Sequence, residues 1–158
     1  MNDNQSDKLP RFELRPAREE DYRLAEKLYL ETSKPLFLEL GIWDERKIVS
    51  EFGQKYKTEE VRIISVNGVD AGWLQTSEND SDVHLIQIHL QESFRAGGIG
   101  STIIRDLMRD VQSKGKGLSL FVFRNNPALA LYRRLGFQII SEADEKLRMR
   151  WEPNQSSP

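Results

Sequence analysis

The sequence predicts an α/β fold, a mixed, mainly antiparallel twisted sheet of about six to seven strands flanked by about four helices. Three observations predict it. An apolar run from Val83 to Leu90 enters a glycine-rich turn, then a helical stripe, then a second apolar run from Leu118 to Phe123, which makes the two runs parallel strands joined by a crossover helix. Asn67-Gly68 stands between Val61 to Val66 and Asp70 to Gln75 and is a strong signal for an antiparallel hairpin. Read end to end, the elements run βααβββαβαββ, with no internal repeat.

Each element has a local reason. Arg11 to Arg15 sets Phe12 and Leu14 against charged neighbours, as a half-buried strand does. A helix follows from about Glu19 to Glu31, with Leu24, Ala25 and Leu28 inward and Glu19, Glu20 and Asp21 at its positive end, and Pro35 is expected to interrupt it. Asp44 caps a second helix carrying Ile48, Val49 and Phe52, with Trp43 placed to staple onto Ile48. Ser77 to Asp82 is polar and reads as a loop. The strand after it has His84, Ile86, Ile88 and Leu90 on one face and Val83, Leu85, Gln87 and His89 on the other. Ile99, Ile103, Leu107 and Val111, widened by Ile104 and Met108, mark the long helix. Leu118 to Phe123 is apolar on both faces, as in a central strand. Asn125-Asn126-Pro127 starts a short helix that Gly136 ends, and Phe137 to Ile140 and Lys146 to Trp151 are the last strands.

Composition narrows the function. At 158 residues, 38% hydrophobic and 30% charged, the chain suits one soluble domain, expected over residues 11–152 between unstructured ends at 1–10 and 153–158. No apolar run approaches the roughly 18 residues of a membrane span, and no signal-peptide pattern is seen, so a cytoplasmic location is the expectation. Without cysteine there is no disulfide, thiolate metal site or cysteine nucleophile. With only His84 and His89, a zinc site needs carboxylates as well, and no metal is expected. A net charge of −2 with dispersed basic residues argues against nucleic acid as a partner.

The stretch Gln91 to Thr102 holds the chemistry. Gly97, Gly98 and Gly100 let the backbone approach a ligand closely, and the positive end of the following helix faces it, an arrangement that suits an anion. A nucleotide P-loop needs a lysine that Gly100-Ser101 lacks, and a dinucleotide fingerprint needs a glycine where Ile103 stands. What is left is Arg95-x-x-Gly98-x-Gly100, which resembles the pyrophosphate loop of the GNAT superfamily of N-acetyltransferases. Thirty residues on, Asn125-x-x-Ala128-x-x-Leu131-Tyr132 followed by Leu135-Gly136-Phe137 resembles that superfamily's second signature.

The resemblance spans roughly Phe12 to Trp151. It implies that the fourth and fifth strands splay and that the pantetheine arm of acetyl-CoA fills the gap. On that basis the main chain of Ile88, His89 and Leu90 meets the pantetheine, Arg95, Ala96, Gly97, Gly98, Ile99, Gly100 and Ser101 meet the pyrophosphate, and Asn125 holds the arm. The implied reaction is transfer of an acetyl group to a primary amine by direct attack in a ternary complex. An ammonium of pKa about 10.4 needs roughly 4 to 5 kcal/mol to lose its proton at pH 7. Many members use a glutamate near the start of the fourth strand as the base, whereas this chain has His84, which reads either as the base or as a packed strand histidine. Tyr132 matches the general acid for the departing thiolate. Glu39, Trp43, Trp73 and Gln75 fall near the acceptor side, where aromatic walls with acids suit a cationic amine. The acceptor is a small-molecule or peptide amine, and a homodimer is compatible with the resemblance. The missing glutamate also admits a CoA-binding regulatory module that has lost turnover.

Overall fold

Residues 10–153 are described by a computed structural model. The ends expected to be unstructured, 1–10 and 153–158, lie outside the described residues apart from Pro10 and Pro153. The order is β1 (Phe12–Pro16), α1 (Tyr22–Glu39), α2 (Glu45–Lys55), β2 (Val61–Val66), β3 (Val69–Glu78), β4 (Asp82–Leu90), α3 (Ile99–Ser113), β5 (Gly117–Phe123), α4 (Ala128–Arg134), β6 (Gln138–Ala143) and β7 (Lys146–Trp151). One seven-stranded sheet runs β1-β2-β3-β4-β5-β7-β6. Only β4 and β5 pair in parallel, and the other neighbours are antiparallel.

Hydrophobic periodicity places a layer on each face. The α3 stripe of Ile99, Ile103, Ile104, Leu107 and Val111 packs on Leu74, Val83, Leu85, Leu118, Leu120 and Val122. Each such side chain contributes about 1.5–3 kcal/mol relative to exposure. On the opposite face, Ala25 and Leu28 of α1 and Phe52 of α2 enclose Val61, Ile63 and Trp73. The β2–β3 hairpin turns at Asn67 (φ 52°) and Gly68 (φ 82°), left-handed backbone that this residue pair tolerates. Asp44 caps α2 by accepting from the Lys47 N–H at 3.3 Å. Among the described residues no helix is long and apolar enough to cross a membrane.

Four expectations are corrected. Pro35 does not end α1, which continues to Glu39. Pro35 and Glu31 are both exposed, where the helical bond that Pro35 cannot donate costs least, while Phe37 packs on Phe123 with ring centroids 4.8 Å apart and anchors the last turns. The loop at Ser77 to Asp82 shrinks to residues 79–81, because the Asn79 side chain accepts from the Ser81 and Asp82 N–H groups and turns the chain at once. Strict alternation fails in β4: Gln87 pairs with Gln75 and Leu85 with Thr76, so Ile86 is a bulge residue. His84 and His89, expected on opposite faces, therefore share the face turned toward α1 and α2. Finally, β5 is not buried on both faces, since Phe121 is 53% exposed on that same side.

Candidate active site

The parallel pair β4–β5 is registered only from Asp82 with Gly117 to Leu85 with Leu120. Beyond the Ile86 bulge the strands part, and the cleft that opens has a volume of about 1280 Å³. The Gln91 N–H bonds the Ala71 carbonyl at 2.8 Å, and the His89 carbonyl points at β3, where a Cβ on Gly72 would come within 2.1 Å of it. Alternation then turns the main-chain groups of Ile88 and Leu90 into the gap, and those of His89 away from it. The Leu90 carbonyl accepts from Arg95 Nε at 2.9 Å. The remaining groups of Ile88 and the Leu90 N–H face the gap without a strand opposite, and unpaired backbone of this kind calls for an extended, amide-bearing ligand.

The turn after β4 is a 3₁₀ segment, Glu92–Gly97, followed by Gly98 at φ 82°. The Thr102 N–H is the first in α3 to bond within the helix, to the Gly98 carbonyl at 3.0 Å. The N–H groups of Ile99, Gly100 and Ser101 are left free at the positive end of a 15-residue helix. A Cβ on Gly100 would meet nothing nearer than Leu90 Cδ1 at 3.7 Å. The space above that glycine is open to a ligand. Arg95, expected to meet pyrophosphate, lines the cleft and ties the turn to the end of β4 through its Nε.

Asn125 sits beyond β5. Its Nδ2 donates to the Leu36 carbonyl at 3.1 Å and to Glu39 Oε1 at 2.7 Å, while its Oδ1 is buried without a partner. Its chain neighbours Phe123 and Asn126 line the cleft, and a buried acceptor left without a partner is uncommon. Capping of α4 falls to Asn126, whose Oδ1 accepts from the Ala128 N–H at 2.9 Å. Tyr132, 6% exposed, lines the cleft from α4 and stacks edge-on against Phe137. Desolvation pushes its hydroxyl up to about 12.

His84 Nδ1 lies 2.9 Å from Ser119 Oγ, and the ring meets Phe121 edge-on at 5.5 Å. Its pKa is lowered by desolvation and by Arg148, with Asp82 opposing, so the imidazole is neutral near pH 7. His89 is held differently. Nε2 donates to Gln87 Oε1 at 2.6 Å, and Nδ1 lies 2.8 Å from the Thr32 hydroxyl. Burial, then Arg95, brings its pKa down to about 3. This ring fastens β4 to α1.

The expected acceptor residues separate. Trp73 is fully buried, stacked among Phe52, Tyr56 and His89, and so stands behind the cleft wall rather than on it. Gln75 reaches the cleft, but its Nε2 is committed to the Lys55 carbonyl and Glu60 Oε1. Trp43 packs near Phe37 and under Lys34 Nζ, 5.5 Å from the ring centre. Glu39 is exposed and bonded to Asn125, and it is not among the residues that line the cleft. Lys55, Phe121, Lys146 and Arg148 were not singled out by sequence. Their only trace there is the two-residue spacing of Phe121 with Phe123 and of Lys146 with Arg148.

A seven-stranded sheet wedged open between its two parallel strands, above a glycine turn at a helix N-terminus, defines the GNAT acetyltransferase fold. The chain belongs to the FR47-like protein family, a GNAT-related family that it matches over residues 70–148. Its fold is similar to that of PaiA N-acetyltransferase from Thermoplasma acidophilum, solved in complex with coenzyme A, at 19% identity and TM-score 0.73 over 90% of this chain and 99% of that one. It is similar also to Ard1 from Thermoplasma volcanium, at 15% identity and TM-score 0.65 over 91% and 99% of the two chains. The ribosomal-protein-S18-alanine N-acetyltransferase from Escherichia coli is a third likeness, at 18% identity and TM-score 0.61 over 93% and 97%. A sequence search of curated proteins finds no match.

Proposed function

We propose that the protein transfers an acetyl group from acetyl-CoA to a primary amine by direct attack in a ternary complex. The observation that carries this is the wedge itself, with the Ile88 main chain and the Leu90 N–H unpaired along one side and the free N–H groups of Ile99, Gly100 and Ser101 at its mouth. An extended diamide ending in a pyrophosphate meets both needs at once, and the orphaned Asn125 Oδ1 takes a third contact from its N–H donors.

In this reading the amine attacks the thioester carbonyl, the C–N bond forms, and the Leu90 N–H stabilises the oxyanion. His84, neutral near pH 7, takes the amine proton directly or through water. The C–S bond then breaks and CoA leaves as a thiol. With Tyr132 near 12 and a free thiol near 8.5, full transfer to the thiolate is uphill by about 5 kcal/mol. Tyr132 therefore supplies a hydrogen bond during departure, and water completes the protonation.

A CoA-binding module without turnover is the second reading, favoured by His84 where a carboxylate base is usual. Amine-dependent release of thiol from acetyl-CoA separates the two. Release with any amine, slowed in Tyr132→Phe, supports the enzyme. Tight acetyl-CoA binding without release across metabolite amines, polyamines and peptide N-termini supports the module.

A further inference from the structure

The side of β5 and β7 that faces α1 carries a ladder of aromatic and cationic residues. Register sets Phe121 opposite Arg148 and Phe123 opposite Lys146. The Arg148 guanidinium lies 6.0 Å from the Phe121 ring centre, and Lys146 Nζ lies 5.3 Å from that of Phe123. Across the cleft, Lys47 and Lys55 of α2 line the same hollow as Lys146. Among the described residues none of these three lysines is in an ion pair. The Lys146 ammonium is held below the usual lysine range, first by desolvation and then by Lys55, with Glu51 opposing.

These cations need a function other than holding the cofactor's phosphates. The free N–H groups of α3 lie on the opposite face of the sheet, the one filled by Leu118, Leu120 and Val122. Glu51, Asp144 and Glu145 line the hollow as well, but between Lys55 and Lys146, whose charges already repel one another, a purely cationic acceptor meets like charge on both walls. An acceptor with its own negative charge finds partners there, and its ammonium loses a proton more readily in the positive field, which suits a site whose base is an imidazole. The cleft must also admit the pantetheine arm, so what remains is sized for a small molecule.

We infer that the acceptor is a small amine bearing an anionic group, a carboxylate or a phosphate, which seats between Lys55 of α2 and Lys146 of β7. The inference rests on the acetyl-transfer reading above and deepens it.

Matched acceptors test it: β-alanine against β-alaninamide, 2-aminoethyl phosphate against ethanolamine, and spermidine as a polycation. Thiol release is measured with each, alongside the unfolding midpoint of the CoA-bound protein in the presence of the same amine. The anionic member of a pair should lead by about tenfold or more in kcat/KM, as a charge-assisted contact implies, and should raise the midpoint further. Which pair shows the larger gap distinguishes carboxylate from phosphate. Lys146→Glu should invert the ranking while keeping the midpoint rise caused by acetyl-CoA, and Lys55→Met should flatten it if the charge reversal does not fold. Equal or better performance by the neutral members or spermidine in both readouts overturns the inference, as does an unchanged ranking in Lys146→Glu. Loss of the acetyl-CoA midpoint rise in the unmodified protein instead removes the functional reading on which it rests.

Discussion

The Asp82 carboxylate accepts from Arg150 Nε at 3.1 Å and Nη2 at 2.7 Å, and the pair closes over the end of the wedge where β4 and β5 still run side by side. Gly117 makes room for it, since a Cβ there would lie 2.5 Å from Arg150 Nη2. Asp82 is almost fully buried, and its pKa is lowered chiefly by the hydrogen bond from Arg150. A carboxylate with a depressed folded pKa contributes stability that is complete above its unfolded value and lost as pH falls through the folded one. Asp82→Asn should therefore lower stability at pH 7 by about 1–3 kcal/mol, with the gap from wild type closing below about pH 4. Denaturant unfolding at pH 7 and pH 3 checks this, and a gap that persists unchanged at pH 3 contradicts it.

Gly72 is fixed by the approach of β4. A side chain there would run into the His89 carbonyl at 2.1 Å and the Leu90 Cα at 3.0 Å, both backbone atoms that cannot step aside without opening the sheet. Gly72→Ala should destabilise the protein by about 3 kcal/mol and weaken acetyl-CoA binding, because the end of β4 carries the main chain that faces the ligand. An unaltered melting curve rules out this packing.

For Tyr132, the hydroxyl pushed up to about 12 stays protonated across the usual assay range. Tyr132→Phe should reduce kcat by about 10²-fold, the lower end of the range for losing one transition-state hydrogen-bond donor, with acetyl-CoA affinity retained. The wild-type kcat profile should show no fall attributable to this hydroxyl below pH 10. A variant with full kcat leaves Tyr132 as packing only.

His84 gives a prediction of sign. As the base it acts when neutral, and its pKa is lowered from 6.5. The acid limb of kcat/KM should thus fall below pH 6.5, and His84→Gln should lower the rate and abolish that limb. The same limb surviving in His84→Gln assigns the base elsewhere.

What could be read from sequence was local. The Asn67-Gly68 hairpin and the α3 stripe follow from turn chemistry and periodicity within a few residues, and they stand where expected. The Ile86 bulge has no such marker, since neither glycine nor proline announces it, and so two-residue alternation placed His84 and His89 on opposite faces. Pro35 shows tertiary packing overriding a local rule, with Phe37 on Phe123 holding the turn beyond it. The same divide runs through the site. The glycine turn and the Asn125 to Tyr132 segment are contiguous motifs, whereas Lys55 and Lys146 meet only because α2 and β7 face one cleft. Trp73 was legible as an aromatic strand residue, but its complete burial depends on Phe52 and Tyr56 arriving from elsewhere in the chain.

The most direct test of the central claim is the thermal unfolding midpoint with and without saturating acetyl-CoA, with ATP and NAD as controls. At about 100 times the dissociation constant, linkage gives roughly 2.7 kcal/mol, a rise of about 5 to 11 °C for a domain of this size. The account predicts that rise for acetyl-CoA and not for the controls. No shift at millimolar acetyl-CoA, in a sample that unfolds cooperatively, would contradict it, because the wedge and the α3 N-terminus would then not be a coenzyme A site.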